Sequence, residues 1–300
     1  MKILILGSEG FIGSHCVDFF IVRSNTVFGV DLYEKAAKQY NYTKLSKLYP
    51  EFDEIFSLHS FDAVINAAGS GNVPYSMSHP LIDFEANSLD TIRVLDAIRK
   101  HQPECRYIHI SSAAVYGNPA KLPVQEFDIT VPLSPYGWHK LISEQLCREY
   151  VNIYKLQIAI IRPFSVYGPG LKKQLFWDLY KKIQNRKGEI ELHGTGEESR
   201  DYIYIEDLVS AIGCIIHQEK LNGEIYNVAS GTETKIAEVV ELFMDALHTP
   251  CTFRFNGVVR AGEPLNWYAD ITNINAIGFL NKYTMQQGMR KLADWMLQLS

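Results

Sequence analysis

The stretch that most restricts the fold of this chain is its first. A short apolar run, Ile3 to Leu6, enters Gly7-Ser8-Glu9-Gly10-Phe11-Ile12-Gly13 and is followed by the amphipathic segment Ser14 to Val22. A continuous apolar run of this length predicts a parallel strand buried on both faces. Glycines at a strand-to-helix turn let the backbone bend sharply, let helix and strand pack closely, and leave room for a pyrophosphate at the helix N-terminus. The candidate cofactor contacts here are therefore Gly7, Gly10, Phe11, Ile12 and Gly13. The spacing is Gly-x-x-Gly-x-x-Gly, not the Gly-x-Gly-x-x-Gly of the commonest dinucleotide fingerprint, and three glycines in a tight turn also occur without a ligand. A second strand, Thr26 to Val30, ends at Asp31, at the distance where a carboxylate accepts both hydroxyls of an adenosine ribose. Such a carboxylate repels a 2′-phosphate and favours NAD over NADP, although Lys35 and Lys38 lie close by.

The alternation continues. Phe61 to Asn66 reads as a strand running into Ala67-Ala68-Gly69, small residues against which a cofactor could lie, or else a plain tight turn. Leu81 to Lys100 reads as one long helix, with Asn87 inside it as either a cofactor contact or part of a solvated face. Arg106 to Ile110 is the next strand and delivers Ser111 and Ser112 at its C-terminal end, where ligands bind in open parallel sheets. Tyr40 to Leu58 shows no clean strand pattern. Beyond strand Gln157 to Ile161 the alternation loosens. Helices are expected at Leu175 to Ile183, Leu208 to His217 and Lys235 to Leu247, with short strands at Glu189 to Leu192 and Tyr226 to Ala229. The predicted class is α/β: a Rossmann-type doubly wound parallel sheet over residues 1–165, with possible later returns of the chain, and a smaller α/β substrate-binding lobe mainly in 166–300.

Within this frame Tyr136 and Lys140 stand four apart at the start of a run to Tyr154 that holds no proline and no glycine beyond Gly137, so both side chains share one helical face. A phenol with an ordinary pKa near ~10 is a poor base at neutral pH unless something favours its ionised form. Lys140 is placed to do so, although a Tyr-x-x-x-Lys spacing taken alone is weak.

Hydrophobic residues make up 47% and charged residues 21% of the 300, as in a globular protein with an ample core. A net charge of −5 argues against nucleic acid as the main partner. The five cysteines are scattered with no Cys-x-x-Cys pair, and no two histidines stand at i, i+4, so no metal site is expected. No segment approaches the ~20 apolar residues that span a bilayer, and a cytoplasmic location is expected.

Taken in order, the glycine turn, Asp31, Ser111-Ser112-Ala113-Ala114-Val115-Tyr116-Gly117, Tyr136-x-x-x-Lys140, Arg162-Pro163-Phe164-Ser165-Val166-Tyr167-Gly168-Pro169-Gly170, Arg200-Asp201-Tyr202-Ile203 and Arg260-Ala261-Gly262-Glu263-Pro264 make the chain resemble the extended short-chain dehydrogenase/reductase family. The likeness is to its nucleotide-sugar epimerase/dehydratase branch and covers essentially the whole chain. It implies NAD as cofactor, held by the residues above together with Pro163, Tyr136 and Lys140. It implies a catalytic set of Ser112, Tyr136 and Lys140, and substrate contacts from Ser112, Ser165, Arg200, Arg260 and Glu263, the two arginines on the diphosphate. The family's 4,6-dehydratases carry an Asp-Glu pair where this chain has Ala113-Ala114, so the resemblance points to epimerisation at C4 of a UDP-hexose or UDP-N-acetylhexosamine. A 4-ketosugar reductase and a non-catalytic NAD-binding protein are the alternatives. Many epimerases carry Asn at the place of Ser165 and Asp at that of Glu263. Family members dimerise through the helices expected here at Leu81 to Lys100 and Gly137 to Tyr154, and polysaccharide synthesis is a common setting.

Overall fold

The computed structural model describes residues 1–34, 40–46, 51–185, 188–249, 251–258 and 264–299. β1 (Lys2–Leu6) alternates Ile3 and Ile5 into one apolar cluster and Leu4 and Leu6 into another, so its whole length lies between two layers. The glycine turn leads into α1 (Phe11–Val22), then β2 (Thr26–Asp31) pairs with β1 in parallel. Two elements fall in the stretch that showed no pattern. β3 (Asn41–Lys44) is a polar edge strand with three of four residues exposed, and α2 (Phe52–Leu58) is a short helix burying Phe52, Ile55 and Phe56. An edge strand has one wet flank and no need of alternation, which is why the sequence pattern missed it.

β4 (Ala63–Asn66) is followed by α3 (Val73–Ser78), capped by Asn72, whose Oδ1 accepts from Tyr75 N at 3.0 Å. The helix expected at Leu81 to Lys100 is a composite: α4 (Pro80–Phe84), a π-helical turn (Glu85–Leu89) and α5 (Asp90–His101). The π turn adds a residue without disturbing the apolar stripe on either side, and Asn87 sits in it. β5 (Arg106–Ile110) ends at the two serines, a 3₁₀ turn covers Ala113–Tyr116, and α6 (Pro135–Tyr154) opens with Pro135 in its first turn.

β6 (Ile158–Pro163) is buried throughout. Then come β7 (Ser165–Tyr167), α7 (Gln174–Gln184), β8 (Ile190–Leu192), β9 (Ser199–Tyr204), α8 (Ile205–Ile216), β10 (Asn222–Val228), β11 (Glu233–Lys235), α9 (Ile236–Ala246), β12 (Phe253–Phe255), α10 (Thr272–Ala276) and α11 (Met285–Leu297). A complete capping box between Thr284 and Gln287 starts α11.

The main sheet has seven parallel strands in the order β10-β6-β5-β4-β1-β2-β3. Connections run outward in both directions from the gap between β1 and β4, and open α/β sheets bind ligands at the carboxyl ends of their strands beside such a gap. β10, from the second half of the chain, joins the sheet beside β6. α8 packs on α1 across one face of the same sheet. Two small sheets, β11-β9-β7 and β12-β8, lie outside it. Among the described residues no helix is long and apolar enough to cross a membrane.

Candidate active site

The glycine turn has the tightness its sequence suggested. Gly7 takes φ +75°, and a Cβ there would stand 2.8 Å from the backbone of Ala67 and Ala68; one on Gly13 would stand 2.0 Å from Gly7 O. The turn therefore packs on the end of β4, and only glycine fits. Gly10 caps α1 without any side-chain acceptor, so the first N–H groups of the helix, at Phe11, Ile12 and Gly13, find no capping side chain. Phe11 meets His15 edge-on at 5.5 Å, and His15 Nε2 lies 2.9 Å from Pro169 O, which ties the segment after β7 to the turn. Pro163, the last residue of β6, pairs with Val228 and is buried.

Asp31 ends β2 at 9% exposure, its Oδ2 accepting from Glu9 N at 2.9 Å and its Oδ1 from Leu32 N at 2.6 Å. Lys35 and Lys38 lie outside the described residues. Across the gap, Asn66 Oδ1 accepts from Ala68 N at 3.2 Å and so shapes the turn through Ala67, Ala68 and Gly69. Asn87 is no part of a solvated face. It is 2% exposed, its Oδ1 lies 2.5 Å from where a Cβ on Gly69 would stand, and that oxygen has no hydrogen-bond partner among the described residues. A buried acceptor without a donor at the mouth of the strands is what an incoming polar group would satisfy.

Ser112 stands at the end of β5, and Tyr136 and Lys140 stand one turn apart at the start of α6. Ser112 Oγ accepts from Ala114 N at 3.1 Å, and its hydroxyl acts to lower the pKa of the Tyr136 phenol. Tyr136 is in the first turn of α6, where Ser134 Oγ accepts from Gly137 N at 3.2 Å and Ser76 Oγ from Tyr136 N at 3.1 Å. Lys140 Nζ donates to Ile110 O at 2.9 Å.

The electrostatics differ from the sequence expectation. Tyr136 is raised above the ordinary phenol value, chiefly by burial; the Ser112 hydroxyl opposes this and the Asp83 charge adds to it. The lysine itself is drawn down to about 8 by burial, against the pull of Asp83, Cys147 and Glu144. Desolvation dominates both groups, and the Ser112 hydroxyl works against it at the phenol.

Two polar networks hold this geometry, and the sequence reading found neither. In the first, Glu144 on α6 and Arg162 on β6 form a fork at 2.9 and 2.6 Å, both side chains essentially inaccessible. Ser111 Oγ donates to Glu144 Oε1, Arg162 Nη1 to Tyr116 Oη at 2.8 Å, and Tyr116 Oη to Asn227 Oδ1 on β10 at 2.7 Å. In the second, Asn66 Nδ2 donates to Tyr107 Oη, which faces His109 Nδ1; His109 Nε2 faces Ser143 Oγ, and Ser143 Oγ donates to Lys140 O. Burial, aided by Lys140, keeps His109 well below the usual imidazole value, so it stays neutral and relays donors in one direction. A sequence signal was available. Asp83, Asn87 and Thr91 fall in register with Val94 and Ile98 on one buried stripe, as Lys140 and Glu144 do with Cys147.

Close approach of α6 to the 3₁₀ turn rests on Gly137, where a Cβ would stand 2.7 Å from Ala114 O and 2.9 Å from Pro132 Cβ. Gly137→Val is expected to push the first turn of α6 off Ser112 and lower turnover by roughly 10²-fold, the scale of a ~1 Å misplacement, with a stability cost of about 1–3 kcal/mol. Steady-state kinetics beside a thermal melt check this, and a variant of wild-type activity would refute it.

The substrate candidates are spread wider. Ser165 opens β7, half-buried and paired with Tyr202. Arg200 on β9 has Nη1 on Ser199 O at 2.8 Å and Leu265 O at 3.0 Å, with its guanidinium 5.6 Å from the Trp267 ring centre. Arg260 and Glu263 lie outside the described residues.

The sequence model of the NAD dependent epimerase/dehydratase family matches residues 3–229. The uncharacterized UDP-glucose epimerase YtcB of Bacillus subtilis is 29% identical over 289 residues, 91% of this chain and 90% of that protein. The GDP-6-deoxy-D-mannose reductase of Pseudomonas aeruginosa is 29% identical over 252 residues, 81% of this chain and 79% of that protein. Among solved structures, the UDP-glucuronic acid 4-epimerase from Bacillus cereus in complex with UDP-glucuronic acid and NAD is 26% identical, with a TM-score of 0.90 and all of both chains covered.

Proposed function

We propose, from the premise that this chain belongs to the NAD dependent epimerase/dehydratase family, that it inverts C4 of a nucleotide sugar, a UDP-hexose or UDP-N-acetylhexosamine, with NAD as resident cofactor. The observation that carries the reading is the placement of Ser112 at the carboxyl end of β5, with the first turn of α6, which bears Tyr136 and then Lys140, packed through Gly137 on the 3₁₀ turn that follows it.

The residues present fit NAD. The uncapped N-terminus of α1 suits a diphosphate, Asp31 an adenosine ribose, and the unpartnered Asn87 oxygen a donor arriving beside Gly69. When bound, NAD supplies the two-electron oxidation and re-reduction of C4. Tyr136, as phenolate, takes the proton of the C4 hydroxyl and returns it once the 4-keto sugar has presented its other face, while Ser112 orients the same oxygen. Lys140 contributes the positive charge of the site. Ala113 and Ala114 offer no group able to move a proton at the neighbouring carbon, which keeps the reaction to inversion without loss of water. Arg200, with Arg260, is assigned to the diphosphate, and Ser165 and Glu263 to the sugar nucleotide, so the second half of the chain serves as the substrate lobe. A second copy would cover the exposed Leu81, Ile82, Trp138 and Ile142 on α4 and α6.

The Pseudomonas aeruginosa relative named as a reductase favours one competing reading, reduction of a 4-ketosugar with consumption of NAD(P)H. The two readings separate on cofactor balance. Purified protein is expected to retain NAD through chromatography and to turn over without added cofactor. Oxidation of added NADH or NADPH in step with loss of a 4-ketosugar would make it a reductase.

A further inference from the structure

The segment that leaves β7, Gly168-Pro169-Gly170-Leu171-Lys172-Lys173, reaches back to the first half of the chain before it enters α7. Pro169 O lies 2.9 Å from His15 Nε2 on α1, and a Cβ on Gly170 would stand 3.6 Å from the Phe11 ring. Three residues further on, Lys173 Nζ meets Gly71 O at 3.5 Å, in the loop after β4. One end of this strap therefore rests on the start of α1, which follows β1, and the other on the loop that follows β4. It spans the gap between those two strands, where a dinucleotide lays its diphosphate against the helix N-terminus.

The turns that line the gap bring no cation of their own. Residues 7–13 and 67–72 hold neither lysine nor arginine, and Glu9 adds a carboxylate. Lys173 supplies a positive charge from across the gap. Its ammonium has three N–H bonds to give, and its single contact among the described residues is the Gly71 carbonyl, at the long end of hydrogen bonding; no carboxylate pairs with it there. The side chain stays open to solvent, while the protein around it desolvates the ammonium and holds it below its usual value. A cation so placed gains from an arriving anion.

The local structure gives no reason for a lysine at this position. Lys173 is the N-cap of α7, where a short polar side chain would accept from the helix N–H groups and where the positive end of the helix dipole disfavours a cation. Gln174 beside it takes φ +67°, a left-handed conformation uncommon outside glycine. Both costs fall where the strap meets the gap, as expected of a residue kept for a ligand and not for the fold. Its neighbour Lys172 faces elsewhere and lines a hollow with Trp177, Tyr180 and Leu299.

We propose that Lys173 is a cofactor-binding residue: its ammonium bridges from the second half of the chain to the diphosphate of NAD and fastens the strap 168–173 over the cofactor, so that NAD stays bound between turnovers. The proposal rests on the reading of NAD as resident cofactor.

The test compares wild type with Lys173→Met, Lys173→Arg and Lys172→Met. The Kd for NAD is obtained by ultrafiltration of the diluted holoenzyme. Competition with ADP-ribose, which keeps the diphosphate, and with adenosine, which lacks it, is measured in the same format, and UDP binding to the holoenzyme is followed by calorimetry. Lys173→Met is expected to weaken NAD and ADP-ribose by about tenfold or more, the scale of one hydrogen bond to a charged group, and to leave adenosine and UDP within about twofold of wild type. Lys173→Arg should recover most of the loss, and Lys172→Met should match wild type. Unchanged NAD affinity in Lys173→Met would overturn the proposal. So would an equal loss for adenosine, which would mean a damaged site, or an equal loss in Lys172→Met, which would mean general surface charge. A loss for UDP as large as that for NAD would place Lys173 on the nucleotide sugar and overturn it too. Should Lys173→Met fail to fold, Lys173→Gln answers the same question. A wild type that binds no NAD would defeat the cofactor reading itself, a result distinct from a variant that binds NAD as tightly as wild type.

Discussion

Tyr136→Phe is expected to lower turnover at least about 10³-fold, within the range that loss of a positioned acid/base produces, while the protein keeps its fold and its NAD. Phenylalanine preserves the ring, and the tyrosine is anchored through its backbone, whose N–H goes to Ser76 Oγ, so little but the hydroxyl is lost. The measurement is kcat beside the cofactor content of the purified variant. A variant within tenfold of wild type would remove Tyr136 from the chemistry; one that lost NAD as well would point to a structural role.

The second large effect concerns stability. Glu144→Ala strands the Arg162 guanidinium at 2% exposure with, among the described residues, the Tyr116 hydroxyl and the Glu126 carbonyl for partners. Breaking one side of a buried, doubly hydrogen-bonded pair costs about 3–5 kcal/mol, which corresponds to a thermal midpoint lower by roughly 10 °C in a chain of this size. The loss should exceed that of an exposed pair such as Lys235–Glu197, where removal changes stability by no more than ~1 kcal/mol. Ser111 loses its acceptor in the same variant, so the end of β5 that presents Ser112 loosens. An unchanged melting temperature would show that water or neighbouring groups solvate Arg162 and that the network holds nothing in place.

How much of this was legible before the structure depended on whether a residue's role follows from its type and spacing. The glycine turn, Asp31 at the end of β2 and the Tyr136–Lys140 turn could be read because backbone closeness and helical spacing are written locally. Asn87 was ambiguous, since a polar residue on a helix is usually wet, and only the packing of the π turn against Gly69 shows that it is buried. Asp83, Glu144 and Arg162 went unnoticed for a related reason. A charge is read as surface unless its place in a buried stripe is weighed against its chemistry. β3 was missed because an edge strand with one wet flank needs no alternation of its own. The expectation that Lys140 lowers the Tyr136 pKa was read from spacing, which carries no information about desolvation, and burial raises the phenol and lowers the lysine.

The most direct test of C4 inversion is to incubate the purified protein, without added cofactor, with UDP-glucose and with UDP-N-acetylglucosamine, each carrying deuterium at C4. The products are separated by anion exchange and identified by NMR. The account predicts the galacto-configured sugar from at least one of them, with deuterium retained at C4 and no net change in cofactor. No conversion of either, or a product whose C4 label has been lost to solvent, would contradict it.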